Sequence, residues 1–218
     1  MNPVTSNHVE AGSFGNWLKD IRASLRGDGG TDVPCGDCVG CCVSSYFIPV
    51  RSTDHRARAV IPAELLVTAP GQTGGDVMMG YREDGTCPML SSGRCTIYAA
   101  RPQTCRDYDC RVFAAAGIDA GGPDKHVINK RVHEWRFTYA NEAEMAAHRA
   151  VRSAAEFIRN KASCFPNGRA PTAPTGIAVL AVKAYKVFLN ERTGDRSDTD
   201  TAYDIVKASA NFDAGGAE

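Results

Sequence analysis

The chain has no excess charge of either sign: 25 basic residues face 25 acidic ones, and the sequence isoelectric point is near 6.9. Without a basic excess there is no electrostatic footprint for nucleic acid, which argues against a DNA-binding zinc finger and predicts no nucleic-acid partner. Long apolar runs are missing too. The longest, Ile177 to Val182, ends at Lys183 and falls far short of the roughly 20 residues that a spanning helix needs. The opening residues, MNPVTSNHVEAGSFGN, carry no basic start, apolar core or small-residue cleavage site, which reads against a secretory signal. The expectation is a soluble, cytoplasmic protein with no membrane partner. A Gly-rich phosphate loop, a nucleophile elbow and an HExxH motif are all lacking, so the sequence announces no reaction. Histidines are few and scattered, and His126 and His133 share no ligand spacing with the cysteines.

Cysteine is what the chain has in abundance. Eight of the nine fall in two clusters, Cys35, Cys38, Cys41 and Cys42 in CGDCVGCC, then Cys87, Cys95, Cys105 and Cys110 in CPMLSSGRCTIYAARPQTCRDYDC. A CxxC pair turns two sulfurs toward one ion about 2.3 Å away, and Gly36 and Gly40 let the backbone fold tightly around it. The competing reading is a disulfide framework, which needs an oxidising compartment and usually a small secreted domain. Adjacent Cys41 and Cys42 are also hard to bridge, because a disulfide wants Cβ atoms about 3.8 Å apart in a set geometry. The pattern therefore predicts that all eight are metal ligands gathered in one region. Cys164 stands alone before the proline-rich stretch at 166–176 and reads as a small buried side chain.

At 218 residues the chain is long enough for one domain with a real core. Three parts are expected: 1–34, an N-terminal helix and linker; 35–140, a cysteine-cluster metal-binding domain; and 141–218, a helical extension packing on the same domain. The fold class expected is α+β, a small cysteine-rich, metal-centred core with a short hairpin, covered by amphipathic helices. Phe14, Trp17, Leu18, Ile21 and Leu25 recur at helical spacing over 13–26, and GDGG ends that helix. VSSYFIPV at 43–50 reads as a strand limited by Pro49. Residues 51–70 are ambiguous, with a first helical turn from Pro62, and GQTGG at 71–75 is a loop. Weak alternation over 76–82 followed by EDG at 83–85 predicts a hairpin whose strands carry ligands.

Arg101 and Pro102 open a helix expected to reach Ala116, with Gly117 as its cap. Cys105 and Cys110, five apart, would then sit roughly 140° around from each other. Either the helix starts late or distorts, or the two sulfurs serve different metal positions. Residues 126–139 read as a strand or an irregular aromatic segment. Asn141 and Glu144 form a capping pair for a helix to about 161, with Ala147, Val151, Ala154, Ile158 and Ala162 as its buried stripe. Helices over 177–191 and 200–211 follow, and the last residues look frayed.

Eight thiolates allow two four-sulfur sites or one polynuclear cluster. Adjacent side chains point apart, so Cys41 and Cys42 could each reach a different metal position and tie the two together. Cys35, Cys38 and Cys41 with the remote Cys87-Pro88 pattern like ligands of a 4Fe-4S cluster, leaving Cys42, Cys95, Cys105 and Cys110 for a second site. Zinc fits paired CxxC motifs nearly as well, so iron-sulfur is favoured only slightly. Among Arg94, Arg101, Arg106 and Arg111, the better candidates to stabilise thiolates are Arg101 and Arg106, with Tyr98 and Tyr108 packing against the cofactor.

These residues together resemble the YkgJ-like CxxCxxCC cysteine-cluster family of zinc- or iron-chelating domains. The resemblance spans residues 35–112, with all eight cysteines in order and Pro88, Gly93, Tyr98, Arg101, Pro102, Arg106 and Tyr108 in matching places. It implies metal chelation by those cysteines. One branch, the flagellin lysine methylases, joins a similar cluster to an enzymatic function, but no glycine motif for S-adenosylmethionine accompanies the cluster here. The leading expectation is a metal-binding protein chelating an iron-sulfur cluster or zinc through two four-cysteine groups. A metalloenzyme, either a modifying enzyme or an oxidoreductase, would need a metal with an open coordination position. A metal carrier or sensor would need exchangeable thiolates. The C-terminal helices offer a surface for a protein partner.

Overall fold

The structure is a computed structural model describing residues 8–31, 33–68, 74–189 and 196–215. From the N-terminus it runs β1 (Val9–Ser13), α1 (Phe14–Arg26), β2 (Ile48–Val50), α2 (His55–Val60), β3 (Leu66–Thr68) and β4 (Val77–Met79). Next come β5 (Leu90–Ser91), β6 (Arg94–Cys95), α3 (Gln103–Asp107), α4 (Arg111–Ala116) and α5 (His126–Glu134). The chain closes with β7 (Trp135–Thr138), α6 (Glu142–Asn160), α7 (Pro174–Ala184) and α8 (Asp198–Asp213). This is a mixed α+β fold with small sheets and a short antiparallel hairpin, as the pattern predicts. Two compact units divide it. A cysteine unit comprises Gly29–Asp109 and Gly122–Arg131, and a helical unit comprises Met1–Asp28, Cys110–Gly121 and Val132–Glu218.

The helical unit is built from amphipathic helices with well-made ends. In α1, Ser13 accepts the Asn16 N–H at the N-cap, and Gly27, at φ 93°, closes the C-terminus in the left-handed conformation that glycine adopts without strain. Helix α6 starts where Asn141 Oδ1 accepts the Glu144 N–H at 3.0 Å, and its stripe of Val151, Ala154 and Ile158 is fully buried. Phe14, Trp17, Phe137 and His148 form an aromatic cluster, with His148 stacked on Phe14 at 4.4 Å. Burial, then the Arg152 charge, pushes the His148 pKa down to about 4, so the ring is neutral at physiological pH. Buried Arg22 donates to the carbonyls of Val182 and Lys183 at 2.7 and 3.3 Å, satisfying the C-terminal end of α7. Strand β1, preceding α1, pairs in parallel with β7 through a bulge between Glu10 and Gly12.

The cysteine unit is centred on a three-stranded antiparallel sheet in the order β2-β4-β3, with Met79 opposite both Ile48 and Leu66. Val50, Ala57, Ile61, Met79 and Met89 form its core, and Cys87, Cys95 and Ile97 pack against it. A core this small buries few side chains at roughly 1.5–3 kcal/mol each, which leaves the unit dependent on other constraints.

Several local expectations are corrected. The strand expected over 43–50 is confined to β2, because Gly40–Val43 wind into a 3-10 turn instead. The 51–70 segment contains α2, and the turn from Pro62 is 3-10 rather than α. The EDG turn forms, with Gly85 N–H donating to Arg82 O and Arg82 N–H to Thr86 O at 2.8 Å each, but its outgoing limb does not pair with β4. Pro88 has no N–H to offer a ladder there. The hairpin lies further on, between β5 and β6, and places Cys95 opposite Leu90.

The helix expected from 101 to 116 breaks in two. Tyr108 takes an extended conformation at φ −72° and ψ 113°, and the Asp-Tyr-Asp run around it is poor helix material. The segment 126–139 is helical to Glu134 before becoming β7. Helix α7 begins at Pro174, where proline suits the first turn, and gives way to a 3-10 turn over Tyr185–Phe188. Most of the 71–75 loop, the end of the 177–191 helix and residues 216–218 lie outside the described residues. Among the described residues no helix is long and apolar enough to cross a membrane.

Candidate metal centre

CGDCVGCC folds as two successive tight turns. Cys38 N–H donates to Cys35 O at 3.0 Å across Gly36, whose φ of 55° favours glycine. Gly40 N–H then donates to Cys38 Sγ at 3.5 Å, and the 3-10 turn Gly40–Val43 carries Cys41 and Cys42. Buried Ser44 locks that turn by donating to Gly40 O at 2.6 Å. Gly40 is needed for space, since a Cβ there would lie 3.2 Å from Ile128 Cγ1 of α5. On the far side of the turn, Lys125 donates to Ser44 O and sits 4.1 Å from the centroid of the Tyr46 ring.

The second group is tied to the first through the backbone. Cys87 N–H donates to Cys42 O at 2.7 Å, and Ser45 N–H donates to Gly85 O at 3.0 Å. The Met89 N–H bonds the Cys87 sulfur and the Ile97 N–H bonds the Cys95 sulfur. With Gly40 on Cys38, three cysteines thus receive an N–H from two residues downstream, an arrangement that favours thiolate over thiol. Cys105 rides on α3, which is fixed by Gln103 N–H donating to Asp54 Oδ1 and Thr104 Oγ1 donating to Pro49 O, both at 2.9 Å.

The sulfurs act on one another. Cys42, Cys87, Cys95 and Cys105 interact electrostatically in every pairwise combination. Cys41 interacts with Cys42, Cys105 and Cys35. The Sγ atoms of Cys41 and Cys42 lie 3.9 Å apart, so these neighbours do not diverge as alternating side chains would; the 3-10 turn brings them together. The hydrogen bond from the Cys41 thiol lowers Cys42 to about 7, while Cys41 is pushed up, first by that bond. Cys105 is raised to about 12 by burial and then by the charges of Cys42, Cys87 and Cys95. Burial likewise raises Cys87 and Cys95.

Cys110 belongs to the helical unit, at the N-cap of α4, where its buried sulfur accepts the Trp135 indole N–H at 3.2 Å. Arg111 is buried in the same unit and donates to Ala11 O. In the cysteine unit, Arg101 lowers Cys95 and Cys105 through its charge, stacks 4.0 Å over Tyr98 and donates to the Tyr98 carbonyl. Arg106 donates to the carbonyls of Arg101 and Ala99, bracing the turn before α3. The Tyr98 side chain is exposed, and the Tyr108 hydroxyl meets that of Tyr46 at 3.3 Å. Sequence reasoning missed Arg82 and Lys125, which sit outside the cysteine spacings; only their cationic character among the turn residues could have marked them.

Among the described residues, no three Cys, His, Asp or Glu side chains are closed into a finished coordination cage. The donor set is nonetheless that of a soft metal: thiols with N–H donors already aimed at three of the sulfurs. The profile of the CxxCxxCC family, described as "Putative zinc- or iron-chelating domain", matches residues 34–164. The chain belongs to this family. Its cysteine cluster is accordingly a zinc- or iron-chelating one. No curated protein and no solved structure matches the chain.

Two consequences can be checked at once. Cys87, Cys95 and Cys105 are raised above their ordinary value of 9.0, so at neutral pH each is a thiol whose proton a metal must displace. Metal affinity should therefore climb as pH rises from about 6 to 8, with release of about three protons per metal at that position. Potentiometric titration during loading measures this, and a pH-independent affinity would contradict the ligand set. Cys164, by contrast, sits in a 3-10 turn over Ala162–Cys164 in the helical unit. Cys164→Ser should leave metal content unchanged by elemental analysis.

Proposed function

We propose that the chain is a metal-chelating protein with two adjoining all-thiolate metal positions that meet at Cys41 and Cys42. Cys42, Cys87, Cys95 and Cys105 form the first position. Cys35, Cys38 and Cys41 serve the second. The observation that carries this reading is the complete mutual interaction of the first four sulfurs, with Cys41 against their edge at 3.9 Å. The N–H bonds to Cys38, Cys87 and Cys95 support it, because thiolates need such donors when several share a site.

Four thiolates at the first position leave no open coordination place there, which favours a metal that organises structure over one that activates substrate. Iron-sulfur and zinc both suit an all-sulfur set, and the protein is expected to act in a reducing compartment where such thiols stay free. Metal and acid-labile sulfide analysis of anaerobically purified protein tests the proposal. A brown protein absorbing near ~400 nm with inorganic sulfide identifies iron-sulfur, a colourless zinc protein identifies the other occupant, and a metal-free protein refutes both.

A further inference from the structure

Arg82 lies outside both cysteine groups, and its side chain is exposed, yet its guanidinium makes three hydrogen bonds to one short loop. Nη2 donates to Pro88 O at 2.7 Å, and Nη1 donates to Leu90 O at 3.1 Å and to Thr86 Oγ1 at 3.3 Å. Those acceptors flank Cys87 on both sides. The base of the loop is closed independently. Arg82 N–H donates to Thr86 O, and Asp84 Oδ1 accepts both the N–H and the hydroxyl of Thr86 at 2.9 and 2.7 Å.

The same turn fixes the loop against the first cysteine group. Gly85 is buried at φ 81°, its carbonyl accepts the Ser45 N–H, and a Cβ added there would fall 2.4 Å from Ser45 Oγ. Pro88 removes one N–H, so the outgoing limb has no strand partner to hold it. Without the Arg82 guanidinium, the segment keeps the Cys87–Cys42 backbone bond, the Leu90 N–H to Cys87 O turn at 3.0 Å, the Met89 N–H on the Cys87 sulfur and the two Thr96 bonds to Met89 O, but the Pro88 and Leu90 carbonyls on the far side of Cys87 lose the donor that ties them back to Arg82.

We infer that Arg82 is a positioning residue of the metal centre, whose planar guanidinium clamps the Cys87 loop from three acceptors and presents its sulfur to the first metal position. This rests on Cys87 being a ligand. The clamp depends on the rigid fork of arginine; a lysine ammonium keeps the charge but cannot hold the same divergent acceptors in one plane.

The test uses the full-length chain and Co(II) as the probe, read by thiolate-to-cobalt charge-transfer absorption, with Arg82→Gln, Arg82→Lys and Cys87→Ser compared. Because Arg82 is at the surface, both Arg82 variants should keep the circular dichroism of the metal-free protein. Arg82→Gln should weaken Co(II) binding by about 10–100-fold and shift the charge-transfer band, and Arg82→Lys should share most of that loss. Wild-type affinity and spectrum in Arg82→Gln would overturn the inference. So would wild-type behaviour in Arg82→Lys alone, since charge would then suffice. Unchanged Co(II) binding in Cys87→Ser would show instead that the underlying ligand assignment had failed.

Discussion

Removing the metal with a strong chelator should lower the melting temperature of the cysteine unit by about 16–32 °C. A ligand present at about a thousandfold its Kd stabilises the folded state by about 4 kcal/mol, and each kcal/mol moves the midpoint by about 4–8 °C in a unit of this size. The effect should be concentrated in this unit because its apolar core is so small: Val50, Ala57, Ile61, Met79 and Met89 are its buried members. Cysteines from 35–42 and 87–105 close a long loop through the metal, and that closure is lost on chelation. The sulfurs left behind are crowded, as the raised Cys105 shows. The helical unit has its own core of Phe14, Phe113, Val151, Ile158, Val182 and Ile205 and should melt unchanged. Calorimetry with and without chelator measures both, and coincident melting of the two forms would point to a carrier or catalytic site on a fold that stands without its metal.

Serine substitutions should not be equivalent. Cys42 interacts with Cys41, Cys87, Cys95 and Cys105, and its sulfur lies 3.9 Å from that of Cys41, where the two proposed positions meet. Cys42→Ser should therefore disturb both metal positions and strip most of the bound metal. Cys95→Ser should empty only the first position and Cys38→Ser only the second. Cys87→Ser combined with Cys105→Ser should lose no more metal than either alone, because ligands of one closed site fail together. Elemental analysis of the purified variants decides this. Equal losses for Cys42→Ser and Cys38→Ser, or additive losses within the first four, would contradict the partition.

Much of this was legible in the sequence where one interaction dominates locally. The GDGG stretch that begins at Gly27, Asn141 and Gly117 marked helix ends because capping chemistry acts within a few residues. The apolar stripe of α6 was legible for the same reason. What escaped depended on distant partners. Strand β1 is short and reads as a strand only once β7 is beside it, and β7 itself follows a helix whose stripe of Ile128 and Val132 is too brief to declare a period. The break at Tyr108 left Cys105 and Cys110 in different units, which spacing alone could not foresee. At the candidate centre, the cysteines themselves were evident, but the grouping of Cys87 with Cys42 follows from a backbone bond across a long sequence separation. Arg82 was invisible because its role lies in carbonyl acceptors, which no residue pattern displays.

The most direct test of metal chelation by this cluster is thiol counting on native, anaerobically purified protein, alongside its metal content, before and after chelator. The native protein should contain stoichiometric zinc or iron, with the clustered cysteines slow to alkylate, and chelator should open them all to reagent while Cys164 reacts alike in both states. A folded protein with no bound metal, whose clustered cysteines alkylate at the same rate with and without chelator, would contradict the account.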